Sequence, residues 1–303
     1  MRTAFIKQLV EEARKNKKIF LIVGDLGYNV VEAFKNEFPE RFLNIGIDEQ
    51  NMAGVATGLS MQGYNVYIYS IGNFPTLRCI EQIRYDIAYH KANVKIVAVG
   101  AGLAYGSLGA THHATEEIGM LRTIPNMVIA SPSDPNEARA ITKISSTFDG
   151  PMYIRLGKAG EKEIYHNYED LIIGNIHTYK ESNSINALFV TGSIMDYAVK
   201  WINGNKIQTA VYSIPFIKPL NRKQLIEVVS KHNNIITLEE HQISCGMGSA
   251  LVEQLSDLYQ EGELSVYPKV HRIAIADKFT YIAGCQSFLR NFTELTLHKE
   301  YFK

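Results

Sequence analysis

The sequence has no excess of charge of either sign. Lysine and arginine together number 31, and aspartate and glutamate also number 31, so the 303 residues carry no formal net charge. A chain without a net field of one sign offers no global attraction to nucleic acid or to an acidic membrane surface. We therefore expect neither nucleic acid nor a membrane among its partners.

Cysteine is scarce, and its spacing matches neither a disulfide framework nor a metal site. The three cysteines, Cys79, Cys245 and Cys285, are far apart and odd in number. Structural zinc sites need closely spaced pairs of ligands, and disulfide scaffolds need an even set. Each cysteine is most simply a small buried residue in a reducing compartment.

Long hydrophobic runs are also missing. No run approaches the roughly 20 apolar residues that a membrane-spanning helix needs. Near the amino terminus, Phe5, Ile6 and Leu9 alternate with Lys7 and Glu11, which is an amphipathic pattern without the apolar centre of a signal peptide. We expect a cytoplasmic protein.

What the sequence does contain is enough apolar material for a sizeable core. Of its residues, 46% are apolar, and this length favours two domains over one. Short apolar runs such as those in 17–25 and 64–74 alternate with helix-like segments, which predicts an α/β fold of mainly parallel sheets covered by helices. The stretch 161–186 is polar and irregular, as expected of a crossing between two domains.

The most informative stretch is 37–63. Asp48 and Glu49 stand there between a strand-like run, 42–47, and a helix rich in small residues such as Gly54 and Gly58. Such a helix allows another backbone or a flat ring to approach closely. Taken alone, two acids in a first helical turn only complement the helix dipole.

Three strings carry a resemblance to a known family. The segment PERFLNIGIDEQNMAGVATGLS resembles the pyrimidine-binding segment of the transketolase family of thiamine diphosphate enzymes, and Phe74, Thr76, Arg78 and 81–84 match a second family string. The strings VTGS, IKPLN and TLEEH with GMGSA resemble its carboxyl-terminal domain. The resemblance covers nearly the whole chain. It implies a pyrimidine-binding domain at 1–160, a linker at 161–185 and a transketolase C-terminal-like domain at 186–303, both domains being mainly parallel α/β sheets.

The resemblance also assigns cofactor contacts. In the family, the acid at the position of Glu49 hydrogen-bonds a ring nitrogen of the thiamine pyrimidine, so Glu49 is the predicted catalytic acid as well as a cofactor ligand. Phe74 falls where an aromatic ring stacks on the pyrimidine, although an isolated Phe at a strand end is usually part of a core. Asp25 falls near the thiazolium ring, and Arg78 is a further predicted cofactor contact.

Substrate contacts are predicted after two later strands. The loop in 95–117 contains His112 and His113, which in isolation resemble hydrogen-bonding residues at a helix start. His112 falls on the family's substrate-facing histidine, so it is the second predicted catalytic residue. Lys158 falls near a basic residue that holds a substrate anion in the family. A solvated lysine before a linker explains Lys158 equally well.

Two departures from the family pattern concern the same loop. Leu108 replaces an aspartate that contacts sugar hydroxyls, and Gly100 stands where typical transketolases have a histidine for the acceptor's phosphate. Unpaired polar groups in a buried pocket cost about 1–3 kcal/mol each. The usual pentose and hexose phosphates are therefore not the expected substrates.

In the second domain, Glu239, Glu240 and His241 look like a catalytic group. In the relatives, this region mainly packs a dimer interface, and the resemblance implies the same here. Cys245 stands where glycine is frequent.

A diphosphate-binding domain with the family's Gly-Asp-Gly and downstream Asn is not found in the sequence. Residues 24–27 read GDLG, in which Leu26 breaks the motif. The resemblance thus implies the second subunit of a split transketolase. A partner subunit would hold the diphosphate through Mg or Ca, within an α2β2 assembly that transfers a two-carbon ketol unit from a ketose, as a sugar or sugar phosphate, to an aldehyde.

Two alternatives remain open on the sequence. One is a thiamine enzyme of different chemistry, either the β subunit of a 2-oxoacid dehydrogenase or a deoxyxylulose-phosphate synthase-like enzyme, which would share Glu49 and both domains. The other is a non-catalytic binding subunit that has lost substrate contacts, as Leu108 and Gly100 suggest. The presence of Glu49, Phe74 and His112 argues against the second alternative.

Overall fold

The computed structural model describes residues 1–166 and 170–303, which form two mainly parallel sheets covered by helices. The predicted fold class is confirmed. The strands, in chain order, are β1 (Ile19–Val23), β2 (Phe42–Asn44), β3 (Asn65–Ile71), β4 (Val94–Val99), β5 (Val128–Ala130), β6 (Met152–Leu156), β7 (His177–Lys180), β8 (Asn186–Val190), β9 (Ala210–Ser213), β10 (Phe216–Lys218), β11 (Asn234–Gln242) and β12 (Lys269–Ile275).

Helices connect most of these strands. They are α1 (Arg2–Lys15), α2 (Glu32–Glu37), α3 (Glu49–Met61), α4 (Ile80–Gln82), α5 (Glu117–Arg122), α6 (Pro135–Thr147), α7 (Met195–Gly204), α8 (Arg222–Val229), α9 (Met247–Gln260) and α10 (Gln286–Phe292). The helix expected over 75–94 differs from the prediction. It starts as a 3₁₀ turn at Leu77–Cys79, passes through α4 and widens into a π-helix at Ile83–Tyr89.

The first sheet has seven strands in the order β10-β5-β6-β4-β3-β1-β2. All its neighbours pair in parallel except β10, which is antiparallel to β5. Side chains alternate between the two faces of each strand. In β3, Val66 and Ile68 therefore pack in the core beneath α3, whereas Tyr67 and Tyr69 pack in the core beneath α1.

The second sheet has five strands in the order β12-β11-β8-β9-β7, with only β7 antiparallel to its neighbour β9. Strand β7 comes from the stretch predicted as linker, 161–185. Residues 167–169 of that stretch lie outside the described residues. No helix within 1–166 or 170–303 is both long and apolar enough to cross a membrane.

The cysteines differ in their exposure. Cys79 is buried, as expected, but Cys245 and Cys285 are exposed, so the expectation of burial was wrong for these two. Each of the exposed cysteines lies in the connection just before a helix, α9 or α10, and not on an apolar face of an element.

The two sheets are joined by more than the chain between them. Strand β10, from the predicted second domain, extends the first sheet. Arg155, which the sequence suggested could be a solvated base, is only 2% exposed. Its guanidinium pairs with the buried Glu117 and also donates to the carbonyl of Glu240 in the second sheet, at 2.9 Å. The two halves therefore share polar interactions that are shielded from water.

Candidate active site

The loops after the parallel strands of the first sheet meet at one edge of that sheet. Parallel strands bring their carboxyl ends together, and open α/β sheets commonly bind ligands there. Following β1, β2, β3, β4 and β6, this edge carries the segments 24–28, 45–48, 72–78, 100–116 and 157–160. Every predicted site residue lies in these loops or at the first position of α3.

Glu49 is the first residue of α3, and it is almost fully buried, with 1% of its surface exposed. Its Oε1 accepts a hydrogen bond from Ser70 Oγ at 3.0 Å, and its Oε2 accepts one from Arg78 Nη1 at 2.7 Å. The positive end of the helix dipole also favours a carboxylate at this position. Asp48, by contrast, is exposed and makes no side-chain cap of the helix.

Phe74, Arg78 and His112 continue from Glu49 as a row of contacting side chains. The Arg78 guanidinium lies 4.9 Å from the centroid of the Phe74 ring. The His112 ring approaches the same Phe at 5.4 Å between centroids, with the ring planes at 69°. Phe74 is half-buried, so part of its ring can contact a ligand. The row offers a carboxylate, a cation, an aromatic ring and an imidazole to one ligand.

The two adjacent histidines have different environments. His112 is partly exposed, and its Nδ1 lies 3.0 Å from Thr111 Oγ1. His113 is only 5% exposed, and its burial lowers the pKa of its imidazole below the ordinary value of 6.5. His112 is therefore the histidine that can reach a substrate, while His113 belongs to the interior.

Asp25 and Lys158 make their contacts outside this row. Asp25 is exposed at the end of β1, and its carboxylate accepts from Asn44 Nδ2 at 3.0 Å and from the Tyr28 hydroxyl at 3.2 Å. Lys158 is exposed after β6, with its Nζ 4.9 Å from the centroid of the Tyr105 ring. Both residues lie at the same edge of the sheet, on either side of the row.

The two departures from the family pattern have visible structural effects. Gly100 has a φ of +92°, and a Cβ at this position would overlap the ring of Tyr105. Only glycine therefore lets that ring lie against the backbone after β4. Leu108, in the same loop, is 53% exposed, so an apolar side chain faces outward where the family places a carboxylate.

The residues around Glu49 fit an aminopyrimidine ring. A buried carboxylate for a ring nitrogen lies beside a half-buried aromatic face, and Gly24 keeps the floor narrow, because a Cβ there would come within 3.3 Å of Glu49 Oε1. Gly54 and Gly58 of α3 have open space where a side chain would extend. In the described part of the chain, no group of three or more His, Cys, Asp or Glu side chains is placed to hold a metal ion.

Ser70 is a site residue that the sequence reasoning missed. It is fully buried near the end of β3 and shares the α3 side of the sheet with Val66 and Ile68. A serine at the third alternate position of an otherwise apolar strand face is the signal that could have identified it. Its hydroxyl orients the Glu49 carboxylate from below.

Comparisons with known proteins agree with this geometry. The family model "Transketolase, pyrimidine binding domain" matches residues 1–160, and "Transketolase, C-terminal domain" matches 185–278. The chain is 33% identical over 261 residues to one of the subunits of the apulose-4-phosphate transketolase of Phocaeicola vulgatus, covering 84% of this chain and 83% of that protein.

Two further relatives place this similarity in context. A 1-deoxy-D-xylulose-5-phosphate synthase of Caldanaerobacter subterraneus is 32% identical over 295 residues, which are 95% of this chain but 46% of that enzyme. A solved structure described as a split gene transketolase, inactive beta4 tetramer, superposes with a TM-score of 0.83 at 33% identity, covering 97% of this chain and 93% of the other.

Proposed function

Because the chain belongs to the transketolase family, we propose that it is the pyrimidine-site subunit of a split transketolase dependent on thiamine diphosphate. It would transfer a two-carbon ketol unit from a ketose to an aldehyde together with a separate subunit. The observation that carries this proposal is the buried carboxylate of Glu49, which lies next to Ser70 and Arg78 in line with Phe74 and His112.

The proposed roles follow from the position of each side chain. When bound, thiamine diphosphate supplies the carbon nucleophile that carries the two-carbon unit. Glu49 holds a proton at a pyrimidine ring nitrogen, in a setting where water is excluded and the hydrogen bond is strengthened. Phe74 provides an aromatic face for the ring, and Arg78 and Asp25 border it.

Substrate handling falls to the other two predicted residues. His112 is partly exposed at the end of the row, so it can exchange protons with substrate oxygens. Lys158 presents an exposed cation at the edge of the sheet and suits an anionic group at the far end of a substrate. We propose a sugar or sugar phosphate as substrate, with Leu108 excluding those that need a carboxylate at that position.

A partner subunit completes the proposal. The relative from P. vulgatus is named as a lettered subunit of its transketolase, and the tetramer of the split gene relative is described as inactive. We assign the diphosphate site and its Mg or Ca ion to a separate subunit, and the active assembly to an α2β2 heterotetramer in carbohydrate metabolism. A cytoplasmic location is part of the same proposal.

The synthase of C. subterraneus supports a second candidate, a condensing enzyme that uses pyruvate as donor. Both candidates share Glu49 and both domains, so product analysis must separate them. With the partner subunit present, a ketose donor should yield a two-carbon transfer product, and pyruvate with an aldehyde should yield none. Carbon dioxide release from pyruvate would instead favour the synthase chemistry.

The decisive experiment replaces Glu49 by Gln in the complex with the partner subunit. The amide keeps the size of the side chain but cannot share a proton with the ring nitrogen, so turnover should fall by at least about 100-fold. Asp48→Asn is the matched control, because Asp48 is the neighbouring acid but is exposed; this variant should retain most activity. Turnover of Glu49→Gln near the wild-type rate would refute the assignment, and failure of the wild-type complex to bind thiamine diphosphate with Mg²⁺ would favour a non-catalytic subunit.

A further inference from the structure

The loop that carries His112 is closed on itself and anchored in the second sheet. Gly102 and Ala114 exchange two backbone hydrogen bonds of 2.9 Å, which close the segment 102–114 into a loop. We call this segment the histidine loop. Its Leu103 is fully buried in the core of the second sheet, in the cluster that includes Leu238 of β11 and Leu289 of α10.

Three consecutive residues at the end of β11 hold the histidine loop and the residues just after it. The carboxylate of Glu240 accepts from the backbone N–H of Leu103 at 2.6 Å. His241 Nε2 lies 3.3 Å from the backbone nitrogen of Gly119, and the backbone N–H of Gln242 donates to Thr115 at 2.8 Å. The second sheet therefore serves as a template for this part of the active-site edge.

Glu240 is the central residue of this template. Only 3% of it is exposed. Besides Leu103, its Oε1 accepts from Gln286 at 2.9 Å, and its Oε2 accepts from Arg290 Nε at 2.7 Å. Both partners lie on α10. Because Arg290 neutralises the carboxylate, a charged acceptor can remain buried against the loop backbone.

Two glycines show how closely the loop fits this template. Gly102 has a φ of +61°, and a Cβ there would lie 2.6 Å from Glu240 Cγ. The carbonyl of Gly106 accepts from the N–H of Gly284 at 3.1 Å, and a Cβ on Gly106 would overlap Leu289. The loop backbone therefore lies in direct contact with the second domain, without intervening side chains of its own.

We propose that Glu240, paired with Arg290, is a positioning residue that sets the histidine loop and thereby the place of His112 at the substrate. The role given to His112 rests on the proposed function. The contribution of the second domain to turnover is then to fix a loop of the first domain, and Glu240 acts through Leu103 without touching the substrate.

Glu239 offers a matched control. It is the preceding residue of β11, is 1% exposed, and also accepts two backbone hydrogen bonds, from Met247 at 2.6 Å and Gly248 at 2.7 Å. These donors begin α9, on the other side of the strand. Glu239→Leu therefore removes an equally buried carboxylate without touching the histidine loop.

The first measurement uses the chain alone and does not depend on any enzymatic activity. Hydrogen exchange of peptides covering 102–114 is compared in Glu240→Leu, Glu240→Gln and Glu239→Leu. Glu240→Leu should raise exchange in the loop at least about tenfold, and Glu240→Gln much less, because its amide oxygen still accepts from Leu103. Equal loop exchange in Glu240→Leu and Glu239→Leu would overturn the proposal.

The second measurement uses the complex with the partner subunit. Displacing a substrate-facing group by a fraction of an ångström lowers kcat, so Glu240→Leu should reduce kcat by about 10- to 100-fold while KM and cofactor affinity stay within about threefold. Glu240→Gln should recover most of the rate. A parallel loss of cofactor affinity, or kcat equal to that of Glu239→Leu, would overturn the proposal. If the wild-type complex is inactive, the proposed function fails, and the exchange measurement still decides the role of Glu240.

A second variant approaches the same contact from the loop in case Glu240→Leu does not fold. Gly102→Ala pushes a methyl group toward Glu240 and should raise loop exchange and lower kcat in the same way. Gly262→Ala is its control, since Gly262 also has a positive φ, +78°, but has no neighbouring atom within 4 Å of a Cβ and lies at the end of α9. If both alanine variants leave kcat unchanged, Glu240 does not position the loop.

Discussion

The carboxylate of Glu49 is held by two donors of unequal exposure. Ser70 is fully buried, whereas 45% of the Arg78 side chain is exposed to solvent. An exposed ion pair is weakened by water and salt, but a buried hydroxyl keeps its full effect. Ser70 therefore fixes the direction of the carboxylate, and Arg78 can move aside when a ligand needs that oxygen.

Replacing Ser70 by Ala tests this division. The variant removes a hydrogen bond to a charged acceptor, so the free energy of unfolding, measured in urea, should fall by about 1.5–3 kcal/mol. In a Glu49→Gln background the same replacement should cost about 1 kcal/mol, since the acceptor is then neutral. An equal cost in both backgrounds would show that Ser70 does not act through Glu49.

His113 should make stability depend on pH. Burial lowers the pKa of its imidazole in the folded chain below the value of 6.5 that applies when unfolded. Below about pH 6.5 the unfolded chain therefore binds a proton that the folded chain resists, and the free energy of unfolding falls until the folded pKa is passed. His113→Gln should lose less stability than the wild type between about pH 7.5 and 5.5 in urea titrations. An identical loss in both proteins would contradict the assignment.

At the residue scale, the sequence predicts what a family pattern contains and misses what only the fold creates. Glu49, Phe74 and His112 belong to separate strings of the sequence, and their predicted roles agree with the row that the folded chain forms. Ser70 is flanked by apolar residues in a strand and matches no quoted motif. Its importance follows from facing the same side as α3, which is a property of the sheet.

The turn between β11 and α9 shows how an element tolerates an unfavourable residue. Cys245 has a φ of +62°, in the left-handed region that favours glycine, which is frequent at this position in the family. Its carbonyl accepts from Arg122 Nη1 at 2.9 Å. The α9 N-terminus lacks a side-chain cap from Gly246, and Glu239 supplies the missing acceptors. These bonds hold the turn in place despite the strain at Cys245.

Glycine at this turn should therefore stabilise the chain. Cys245→Gly relieves the left-handed strain at some cost in unfolded-chain entropy, so a gain of about 0.5–1 kcal/mol in the free energy of unfolding is expected. Cys245→Ala loses the thiol but keeps the strain, and it should give no gain. Thermal and urea unfolding of the two variants decide the matter: a glycine variant less stable than the alanine variant would contradict this account.

Elements with strong apolar patterns are predictable, and short or irregular ones are not. The runs that became β1, β3 and β4 are buried over nearly their full length, as their composition indicates. The π-helix at Ile83–Tyr89 has the periodicity of an ordinary helix in the sequence, so its widening was not foreseen. Strand β10 has only three residues, and its pairing with β5 depends on tertiary contacts.

For the molecule as a whole, the contacts between the two sheets predict a single unfolding transition. Strand β10 pairs with β5, Leu103 enters the second core, and the buried Arg155 donates to Glu240. Losing either sheet would expose these groups to water or leave the buried charge of Arg155 without partners.

The only tryptophan, Trp201, reports on the second half, where it stacks on Phe302. Its fluorescence in urea should therefore change at the same midpoint as far-UV circular dichroism and as hydrogen exchange of β3. Protection of β3 that persists after the Trp201 transition would show that the first sheet survives alone and that the contacts between the halves are weak.

The pairing of β10 with β5 also affects the order in which the sheet can be finished as the polypeptide is made. Strand β5 is translated long before Phe216–Lys218, the segment that covers its outer edge. Until that segment leaves the ribosome, the backbone donors and acceptors of β5 are open to a strand from another nascent molecule. A growing chain thus passes through a stage in which its first sheet is one strand short and prone to sticking to its neighbours.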